Sequence, residues 1–227
     1  MWLIVTRPVD DAILLKAKLE AMHHSAILAP LLKIIPRIGV QIPPKHYQLI
    51  CATSANALKY SGVSAALKEV PVLTVGPQSL AAATEAGFKS CKAHGGDVYR
   101  LASYIVKNFN PRKGSILYLS GAETSADLQA LLTANNFIVE KVVVYDAVIE
   151  TPAEIPQALA MADGVLLYSP RSARIWIDVI ATSNLETAAA GPIYFCLSGN
   201  VAKILPHHWR KRVAKSPDEA AMLALLD

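Results

Sequence analysis

Charged side chains are scarce in this sequence of 227 residues. Asp, Glu, Lys and Arg make up only 18% of the chain, and hydrophobic residues make up 53%; a charged share of roughly 25% is usual for globular domains. A disordered chain has the opposite balance, with little hydrophobicity and much charge. The composition predicts a globular protein with a large core, built as one domain or as two smaller ones.

Long apolar runs are also lacking. The stretch from Ala188 to Leu197 is about half of the roughly 20 residues that a membrane-spanning helix needs. The segment from Met1 to Pro8 has neither the long apolar region nor the small-residue cleavage site of a secretory signal. We therefore expect a cytoplasmic protein that does not contact a membrane.

Cysteine and metal-binding patterns are sparse. The three cysteines, Cys51, Cys91 and Cys196, form no CxxC pair, so neither a disulfide framework nor a cysteine-rich metal site is expected. We interpret them as small buried hydrophobic residues. The two pairs of adjacent histidines come without an HExxH motif, and we expect no metal site.

Aromatic residues are few, at 7%, and no basic patch is interleaved with them, which argues against nucleic-acid binding. The 22 basic and 18 acidic residues give a net charge of only +4. No acidic residue lies between Glu186 and Asp218, where basic residues gather: Lys203, Arg210, Lys211, Arg212 and Lys215. We favour a solvated basic helix end here, with a site for an anionic ligand as the alternative.

The sequence carries none of the common nucleotide or hydrolase motifs. It has no GxGxxG after the first strand, no GxxxxGK[ST] and no GxSxG. These absences argue against dinucleotide binding, nucleotide hydrolysis and the common esterase site.

Short apolar runs alternate with stretches of helical periodicity. Continuous apolar runs of this length between helices are typical of a parallel sheet that is covered on both faces. The predicted strands are Leu3–Thr6, Leu49–Ala52, Val72–Val75, Ile116–Leu119, Lys141–Tyr145, Gly164–Tyr168 and Ile193–Leu197. Ser54, Ser125 and Ser216 are predicted N-caps of helices. The fold class is α/β.

The two halves of the chain resemble each other weakly. Leu3–Arg7 is similar to Ile116–Ser120, Cys51–Ala57 to Leu167–Ser172, and Val72–Pro77 to Tyr194–Gly199. Prolines break the chain at about 30–46 and at 152–156, which are candidate linkers. The duplication predicts two related α/β units; it leaves open whether each is continuous in sequence or whether they exchange their first strand and helix.

Small, hydroxylated and glycine residues follow most predicted strands. In parallel sheets, ligands bind beyond the carboxyl ends of the strands, where helix N-termini offer free N–H groups to anions. The candidate binding residues are Arg7, Thr53, Ser54, Asn56, Gly76, Ser79, Gly121, Ser169, Arg171, Ser172, Ser198, Gly199 and Asn200. Each hydroxyl among them is alternatively an ordinary helix cap.

Tyr145 differs from the other tyrosines because it ends the run Val142-Val143-Val144 just before the second candidate linker. Its hydroxyl is therefore a candidate to reach a cleft between the units. The alternative is an interface tyrosine whose hydroxyl is already hydrogen-bonded.

Taken in order, several of these segments resemble the uroporphyrinogen-III synthase family. They are Leu3–Pro8, Ala52–Ala57, Thr74–Gly76 with the helix to Phe88, Ile116–Gly121, Val142–Tyr145, Tyr168–Pro170 and Ala214–Glu219. The resemblance runs along essentially the whole chain, and the order and spacing of the segments carry it.

The resemblance implies two similar parallel-sheet α/β domains, each covered by helices, joined by a two-stranded linker with a cleft between them. Residues 1–32 plus 151–227 would form a discontinuous domain and residues 38–147 an inserted one, with linkers at about 33–37 and 148–150. This arrangement answers the question of exchange that the duplication leaves open.

Members of this family are lyases of heme biosynthesis. They convert hydroxymethylbilane, a linear tetrapyrrole with eight carboxylates, into uroporphyrinogen III, with inversion of ring D and loss of water. They use no cofactor and no metal. The resemblance implies a monomer that binds this small molecule and has no nucleic-acid or membrane partner, with a possible transient contact to hydroxymethylbilane synthase.

By position, Tyr145 matches the family tyrosine that assists departure of the hydroxyl group, and Arg7 and Arg171 are candidate partners for substrate carboxylates. The chain departs from the family at Ser198-Gly199-Asn200, where Gly-Pro-Thr is common, and at Ala55-Asn56, where Pro-Arg is common. These departures leave the side-chain roles at both turns open, whereas main-chain N–H groups are less sensitive to them.

Two other classes of function are alternatives. A non-catalytic two-domain protein that closes on a small anionic ligand would have the same paired units and small polar loops. A transferase with a nucleotide bound across the cleft is less favoured because the glycine motifs are absent.

Overall fold

The computed structural model describes residues 1–94 and 96–226. Strands and helices alternate along the chain. The strands are β1 (Trp2–Val5), β2 (Ser25–Leu28), β3 (Leu32–Pro36), β4 (Tyr47–Ala52), β5 (Val72–Thr74), β6 (Cys91–Ala93), β7 (Ser115–Gly121), β8 (Val139–Ile149), β9 (Gly164–Leu167), β10 (Ile193–Cys196) and β11 (Lys211–Val213). The helices are α1 (Val9–Ala21), α2 (Ala55–Lys59), α3 (Pro77–Glu85), α4 (Val98–Asn108), α5 (Leu128–Thr133), α6 (Ile155–Met161), α7 (Pro170–Thr182), α8 (Glu186–Ala189), α9 (Gly199–Ala202) and α10 (Glu219–Leu223), with 3-10 turns at Ala65–Glu69 and Pro111–Lys113.

The chain divides into two compact units. Unit 1 comprises Met1–Lys33 and Val148–Asp227, and unit 2 comprises Ile34–Ala147. A sheet of strand order β11-β10-β9-β1-β2 forms unit 1, and a sheet of order β3-β8-β7-β4-β5-β6 contains the strands of unit 2. The predicted fold class, helix-covered parallel sheets, is confirmed.

The two sheets share a strand order that matches the sequence duplication. Strands β2-β1-β9-β10-β11 of unit 1 take the same places as β8-β7-β4-β5-β6 of unit 2. The three similar segment pairs therefore correspond to β1 and β7, β9 and β4, and β10 and β5. In both sheets these neighbours pair in parallel, so the predicted relation between the two units is confirmed.

Alternating residues of the central strands of unit 2 pack on opposite faces of its sheet. Ile50 and Leu117 lie on the face that α2 and α3 cover, whereas Leu49 and Ile116 lie on the face that α4 and α5 cover. All four are fully buried. Because both faces are covered, the strands must be apolar throughout, which explains their continuous apolar runs.

In unit 1, strand β1 lies between β2 and β9. Leu3 and Val5 of β1 join Leu15 and Leu19 of α1 in a cluster that also contains Met222 of α10. The N-terminal segment thus supplies two strands, β1 and β2, and one covering helix to a sheet whose other three strands come from the C-terminal part of the chain.

Two predicted helix caps are wrong. The residue that caps α5 is Asp127, which accepts from the N–H of Ala130, and Ser125 lies in the preceding turn. Asp218 caps α10 and accepts from the N–H of Ala221, so Ser216 and Pro217 precede the helix. In both cases a carboxylate nearer to the helix provides the acceptor. The predicted cap at Ser54 is confirmed.

The basic segment does not form the helix end that the sequence favoured. Lys211 and Arg212 lie on strand β11, and their side chains donate to main-chain carbonyls, Lys211 to Pro206 at 2.9 Å and Arg212 to Leu225 at 2.8 Å. Arg210 donates to the carbonyl of Gly191. These cations satisfy carbonyl groups of unit 1.

All three cysteines are free. Cys51 and Cys196 are buried as predicted, and Cys91 is half-buried. Burial raises the pKa of the Cys196 thiol to about 11, so it remains protonated and unreactive at neutral pH. Within residues 1–94 and 96–226, no helix combines the length and apolar character required to cross a bilayer.

Candidate functional site

Parallel pairing brings the carboxyl ends of the central strands to one edge in each unit, and the candidate residues follow those ends. In unit 2 these are Thr53 and Ser54 after β4, Gly76 after β5, Gly121 at the end of β7, and Asn56 and Ser79 in the first turns of α2 and α3. In unit 1 they are Arg7 after β1, Ser169 after β9, Ser198 after β10, and Arg171, Ser172, Gly199 and Asn200 at the starts of α7 and α9.

Tyr145 lies within β8 and is 8% exposed. Its ring joins the hydrophobic cluster that includes Ala52, Ala57 and Val144. Its hydroxyl donates a hydrogen bond to Ser54 Oγ at 3.0 Å, and its carbonyl accepts from the N–H of Ala122 at 3.0 Å. A largely buried phenol with a defined direction for its proton can serve as a hydrogen-bond donor or general acid.

Ser54 connects this tyrosine to helix α2. Its Oγ accepts from the N–H of Asn56 at 3.2 Å, so it acts as the N-cap of α2, and it accepts from Tyr145 as well. The cap alternative is thus confirmed at Ser54, and the residue is also the hydrogen-bond partner of the candidate catalytic group.

Thr53 has a partner that sequence analysis did not identify. Thr53 Oγ1 and the Tyr118 hydroxyl lie 3.2 Å apart. Tyr118 is fully buried, and burial raises its pKa, so the phenol stays protonated at neutral pH. Thr53 and Ser54 are adjacent in one loop, and the side chain of each therefore contacts a tyrosine hydroxyl: that of Tyr118 at Thr53 and that of Tyr145 at Ser54.

The other candidates of unit 2 offer main-chain groups and small side chains. Gly76 is the N-cap of the nine-residue helix α3, and a Cβ atom added there would meet nothing within 4 Å. Ser79 is buried, at 7% exposure. Asn56 is half-buried. The open space at Gly76 allows close approach of a ligand to the N–H groups at the start of α3.

In unit 1, two serines form a cap at the start of the 13-residue helix α7. Ser169 Oγ accepts from the N–H of Ser172 at 3.0 Å, and the two hydroxyls lie 2.9 Å apart. Ser172 is 7% exposed. Arg171 is half-buried in the first turn of the same helix. This end of α7 combines a positive dipole end with a guanidinium.

The turn after β10 is more exposed. Ser198 is the N-cap of α9 without a side-chain hydrogen bond to the helix. Gly199 and Asn200 are exposed, and a Cβ atom at Gly199 would meet nothing within 4 Å.

Arg7 is engaged with carboxylates of its own unit. Its guanidinium donates to Asp11 at 2.7 Å and to Glu219 at 2.8 Å, with 11% of its side chain exposed. Glu219 also pairs with Lys18. The Arg7 Cζ atom lies 4.8 Å from the centre of the Tyr168 ring, and burial raises the pKa of that phenol. Sequence analysis did not identify Asp11, Glu219 or Tyr168 at this edge, although the four-residue spacing of Arg7 and Asp11 is a helical one.

The described residues contain no cluster of side chains that could bind a metal ion. Within residues 1–94 and 96–226, no group of three or more His, Cys, Asp and Glu side chains is arranged to hold a metal ion. The two edges instead present hydroxyls, phenols, main-chain N–H groups and arginines, which are suited to binding carboxylates and donating protons.

Comparisons with known proteins agree with this arrangement. The family model described as Uroporphyrinogen-III synthase HemD matches residues 14–224. Among solved structures, a uroporphyrinogen-III synthetase from Helicobacter pylori is 16% identical with a TM-score of 0.67, over 99% of this chain and 97% of that chain. A mutant uroporphyrinogen III synthase from Thermus thermophilus is 13% identical with a TM-score of 0.58, over 100% of this chain and 97% of that one. Among curated protein sequences, none matches.

At these identities the structural likeness establishes the fold, whereas the family match extends over nearly the full length of the chain. It includes parts of both segments of unit 1, all of unit 2 and every candidate site residue except Arg7. The chain therefore belongs to the uroporphyrinogen-III synthase family.

Proposed function

We propose that this protein is a uroporphyrinogen-III synthase, a lyase that closes hydroxymethylbilane to uroporphyrinogen III with inversion of ring D and loss of water. The observation that carries the proposal is the family match over residues 14–224. No observation favours the alternative of a non-catalytic binding protein.

The main requirement of this reaction is control of the conformation of the substrate. Loss of the hydroxymethyl oxygen as water leaves an electrophilic azafulvene, which the substituted carbon of ring D attacks. The resulting spiro intermediate fragments and recloses with ring D inverted. Because the free substrate cyclises spontaneously to the uninverted isomer, the enzyme must hold the four rings so that the inverted closure is faster.

Substrate carboxylates are proposed to bind at the carboxyl edges of the two sheets. The N-termini of α3 and α7 are the ends of helices of nine and 13 residues, whose free N–H groups and dipoles favour anions. Thr53, Ser54, Asn56, Gly76, Ser79 and Gly121 belong to the edge of unit 2, and Arg7, Ser169, Arg171, Ser172, Ser198, Gly199 and Asn200 to that of unit 1. Main-chain donors explain how a protein of net charge +4 can bind a substrate with eight carboxylates.

Arg7 is proposed to bind a substrate carboxylate in competition with the acidic residues that it already contacts. Its guanidinium donates one hydrogen bond each to Asp11 and Glu219, and a guanidinium has five N–H donors. An incoming carboxylate either shares the guanidinium with these two acids or replaces one of them.

Tyr145 is the proposed proton donor for the departing hydroxyl group. Without substrate its proton is directed at Ser54 Oγ, 3.0 Å away. We propose that the phenol turns its proton to the hydroxymethyl oxygen and donates it while the C–O bond breaks and water leaves. The Ser54 hydroxyl stays beside the phenol oxygen and donates to it in turn. The proton lost by the pyrrole carbon at ring closure restores the phenol, so no net acid is consumed.

The two compact units are the proposed domains of this enzyme, each with its sheet complete within one chain, which supports a monomer. A cytoplasmic location is proposed because all three cysteines are free, as is usual in a reducing compartment. The instability of free hydroxymethylbilane supports a transient contact with hydroxymethylbilane synthase, which would shorten the transfer.

The deciding experiment is an isomer analysis. Freshly prepared hydroxymethylbilane is mixed with the protein, the products are oxidised to porphyrins, and the isomers are separated by chromatography. We expect type III porphyrin in the presence of protein and type I in its absence. If only type I forms while the substrate shifts the thermal midpoint of the protein, the protein is a binder and the synthase proposal is wrong.

A further inference from the structure

Gly121 lies directly against the ring of Tyr145. An ideal Cβ atom built on Gly121 would sit 2.6 Å from Tyr145 Cζ, 2.8 Å from its hydroxyl oxygen and 2.9 Å from Cε2. Real Cβ atoms essentially never approach other atoms this closely. The phenol can therefore occupy its position only because residue 121 has no side chain.

A β-bulge brings Tyr145 to that position. Ser120 of β7 pairs with Val143 of β8, but Gly121 pairs with Tyr145, so Val144 is an extra residue in β8. Regular alternation would place Tyr145 on the opposite face from Val144. Both residues instead belong to the cluster on the α2 and α3 face. Bulges of this kind redirect a side chain and are frequent beside active sites.

Ser54 then determines where the hydroxyl points. It lies on the same face as the redirected ring, at the start of α2, and accepts the phenolic proton at 3.0 Å. Since the N–H of Asn56 also bonds to Ser54 Oγ, the serine rotamer is held by the helix. Gly121 thus fixes the position of the Tyr145 ring on one side, and Ser54 fixes the direction of the Tyr145 hydroxyl.

We propose that Gly121 and Ser54 are positioning residues for Tyr145, so that both act on the reaction through this phenol and not by binding substrate. The inference rests on the proposed function and assigns a role within the same site. It replaces direct substrate contact as the role of these two residues.

The test compares Gly121→Ala with the wild type in steady-state turnover. The added methyl group must displace the phenol, and a shift of about 1 Å in a catalytic group can cost about 10²-fold in rate. We expect kcat to fall by about this factor with KM unchanged. In a Tyr145→Phe background, which has no hydroxyl to misplace, Gly121→Ala should lower kcat no further.

Gly164→Ala is the matched control. Gly164 lies in β9 of unit 1, and an added Cβ would be 2.5 Å from Phe195 Cε2 and 3.0 Å from Leu3 Cδ2. Gly164→Ala overcrowds an aromatic ring beside a strand, as Gly121→Ala does, but it lies in the other unit and its added Cβ meets Phe195 and Leu3 instead of Tyr145. We expect a lower thermal midpoint with kcat retained.

Ser54→Ala provides an independent second variant if Gly121→Ala does not fold. It should lower kcat with KM unchanged, have no further effect in the Tyr145→Phe background, and be rescued in part by Ser54→Thr. A raised KM with unchanged kcat in Gly121→Ala or Ser54→Ala would mean substrate contact and would overturn the inference. So would an equal loss of kcat with and without the Tyr145 hydroxyl.

Failure of the underlying proposal has a different signature. If the wild type yields only type I porphyrin, the proposed function is wrong, whereas type III from the wild type combined with additive effects of Gly121→Ala and Tyr145→Phe overturns the positioning role alone.

Discussion

Tyr145 is largely buried, and its hydroxyl proton has a defined acceptor. These two properties let us predict what happens when the hydroxyl is removed. The side chain is 8% exposed and donates to Ser54 at 3.0 Å. Tyr145→Phe keeps the ring against Gly121 and removes only the donor. Because a positioned general acid contributes about 10²–10⁴-fold, we expect kcat to fall within this range in the isomer-resolved assay, with a larger fraction of type I porphyrin from spontaneous closure.

Tyr47→Phe is the control for that variant. Tyr47 is also a buried tyrosine of unit 2, at 4% exposure, and its hydroxyl donates to the carbonyl of Pro43 at 2.8 Å. The Tyr47→Phe variant loses a comparable hydrogen bond outside the candidate site, so we expect its turnover to stay at the wild-type level. Equal turnover of Tyr145→Phe and Tyr47→Phe would remove Tyr145 from the mechanism.

Residue chemistry at the site was predictable only in part. The position of Tyr145 at the end of an apolar run singled it out, but the run has no feature that reveals the extra residue Val144, because the bulge depends on pairing with β7. The four-residue spacing of Arg7 and Asp11 indicates from the sequence that the two can pair. Glu219 lies 212 positions from Arg7, and only the tertiary structure brings them together. Pairing and long-range ion pairs are set by the fold and not by local sequence.

Among the helices, α10 has a cap whose effect depends on pH. Its N-cap Asp218 accepts from the N–H of Ala221 at 2.8 Å. Hydrogen bonds from the Ser216 side chain and from this N–H lower the pKa of Asp218 from its ordinary value of 3.8. The folded protein thus binds this proton less readily than the unfolded chain does, so the carboxylate stabilises the fold above its unfolded pKa and loses that effect as the pH falls through the folded pKa.

Asp218→Asn tests this linkage. Asn is also a good N-cap but does not titrate, so the variant should be less stable than the wild type at neutral pH, and the difference should shrink on acidification below pH 3.8. Urea unfolding followed by circular dichroism at several pH values measures it. Ser216→Ala, which removes the first cause of the lowered pKa, should show a weaker pH dependence than the wild type. A stability difference between Asp218→Asn and wild type that stays constant with pH would contradict the assignment.

The sequence predicted the central strands better than the edge strands. All seven predicted strands occur, and they include the buried centres of both sheets. The missed strands β2, β3, β6 and β11 all lie at sheet edges, and most of their residues are half-buried or exposed. Strands β6 and β11 lack the apolar runs that burial on both faces requires, whereas β2 contains the run Ala26–Leu28 and β3 the pair Ile34 and Ile35. Strand β3 also ends at Pro36 within a segment whose prolines predict a linker.

At the scale of the whole molecule, the duplication predicted two related units, and the shared strand order bears this out. The residues alone could not decide how the chain connects them, because a parallel strand pairs equally well with a neighbour from near or far in sequence. The sheet of unit 1 shows that β1 lies between β2 and β9, with Leu3 opposite Gly164. Its core therefore depends on segments that are separated by the whole of unit 2.

This difference in connectivity predicts how fragments of the chain fold. A fragment of residues 32–149 contains β3 to β8 and the helices that cover both faces of their sheet, so it should fold alone. A fragment of residues 148–227 lacks β1, β2 and α1, and with them Leu3, Leu15 and Leu19 of the unit 1 core. It should remain unfolded, because the edge of β9 and one apolar face of the sheet stay exposed.

Circular dichroism and the amide dispersion in NMR spectra distinguish these states. Fragment 32–149 should give dispersed amide resonances and a cooperative urea transition, whereas fragment 148–227 should give neither. Adding a peptide of residues 1–31, which supplies β1, α1 and β2, should restore dispersion to the second fragment. Cooperative unfolding of fragment 148–227 without the peptide would show that β1 is not needed for its core. That result would contradict the interdependence of the two segments, which follows from the central place of β1 in the sheet.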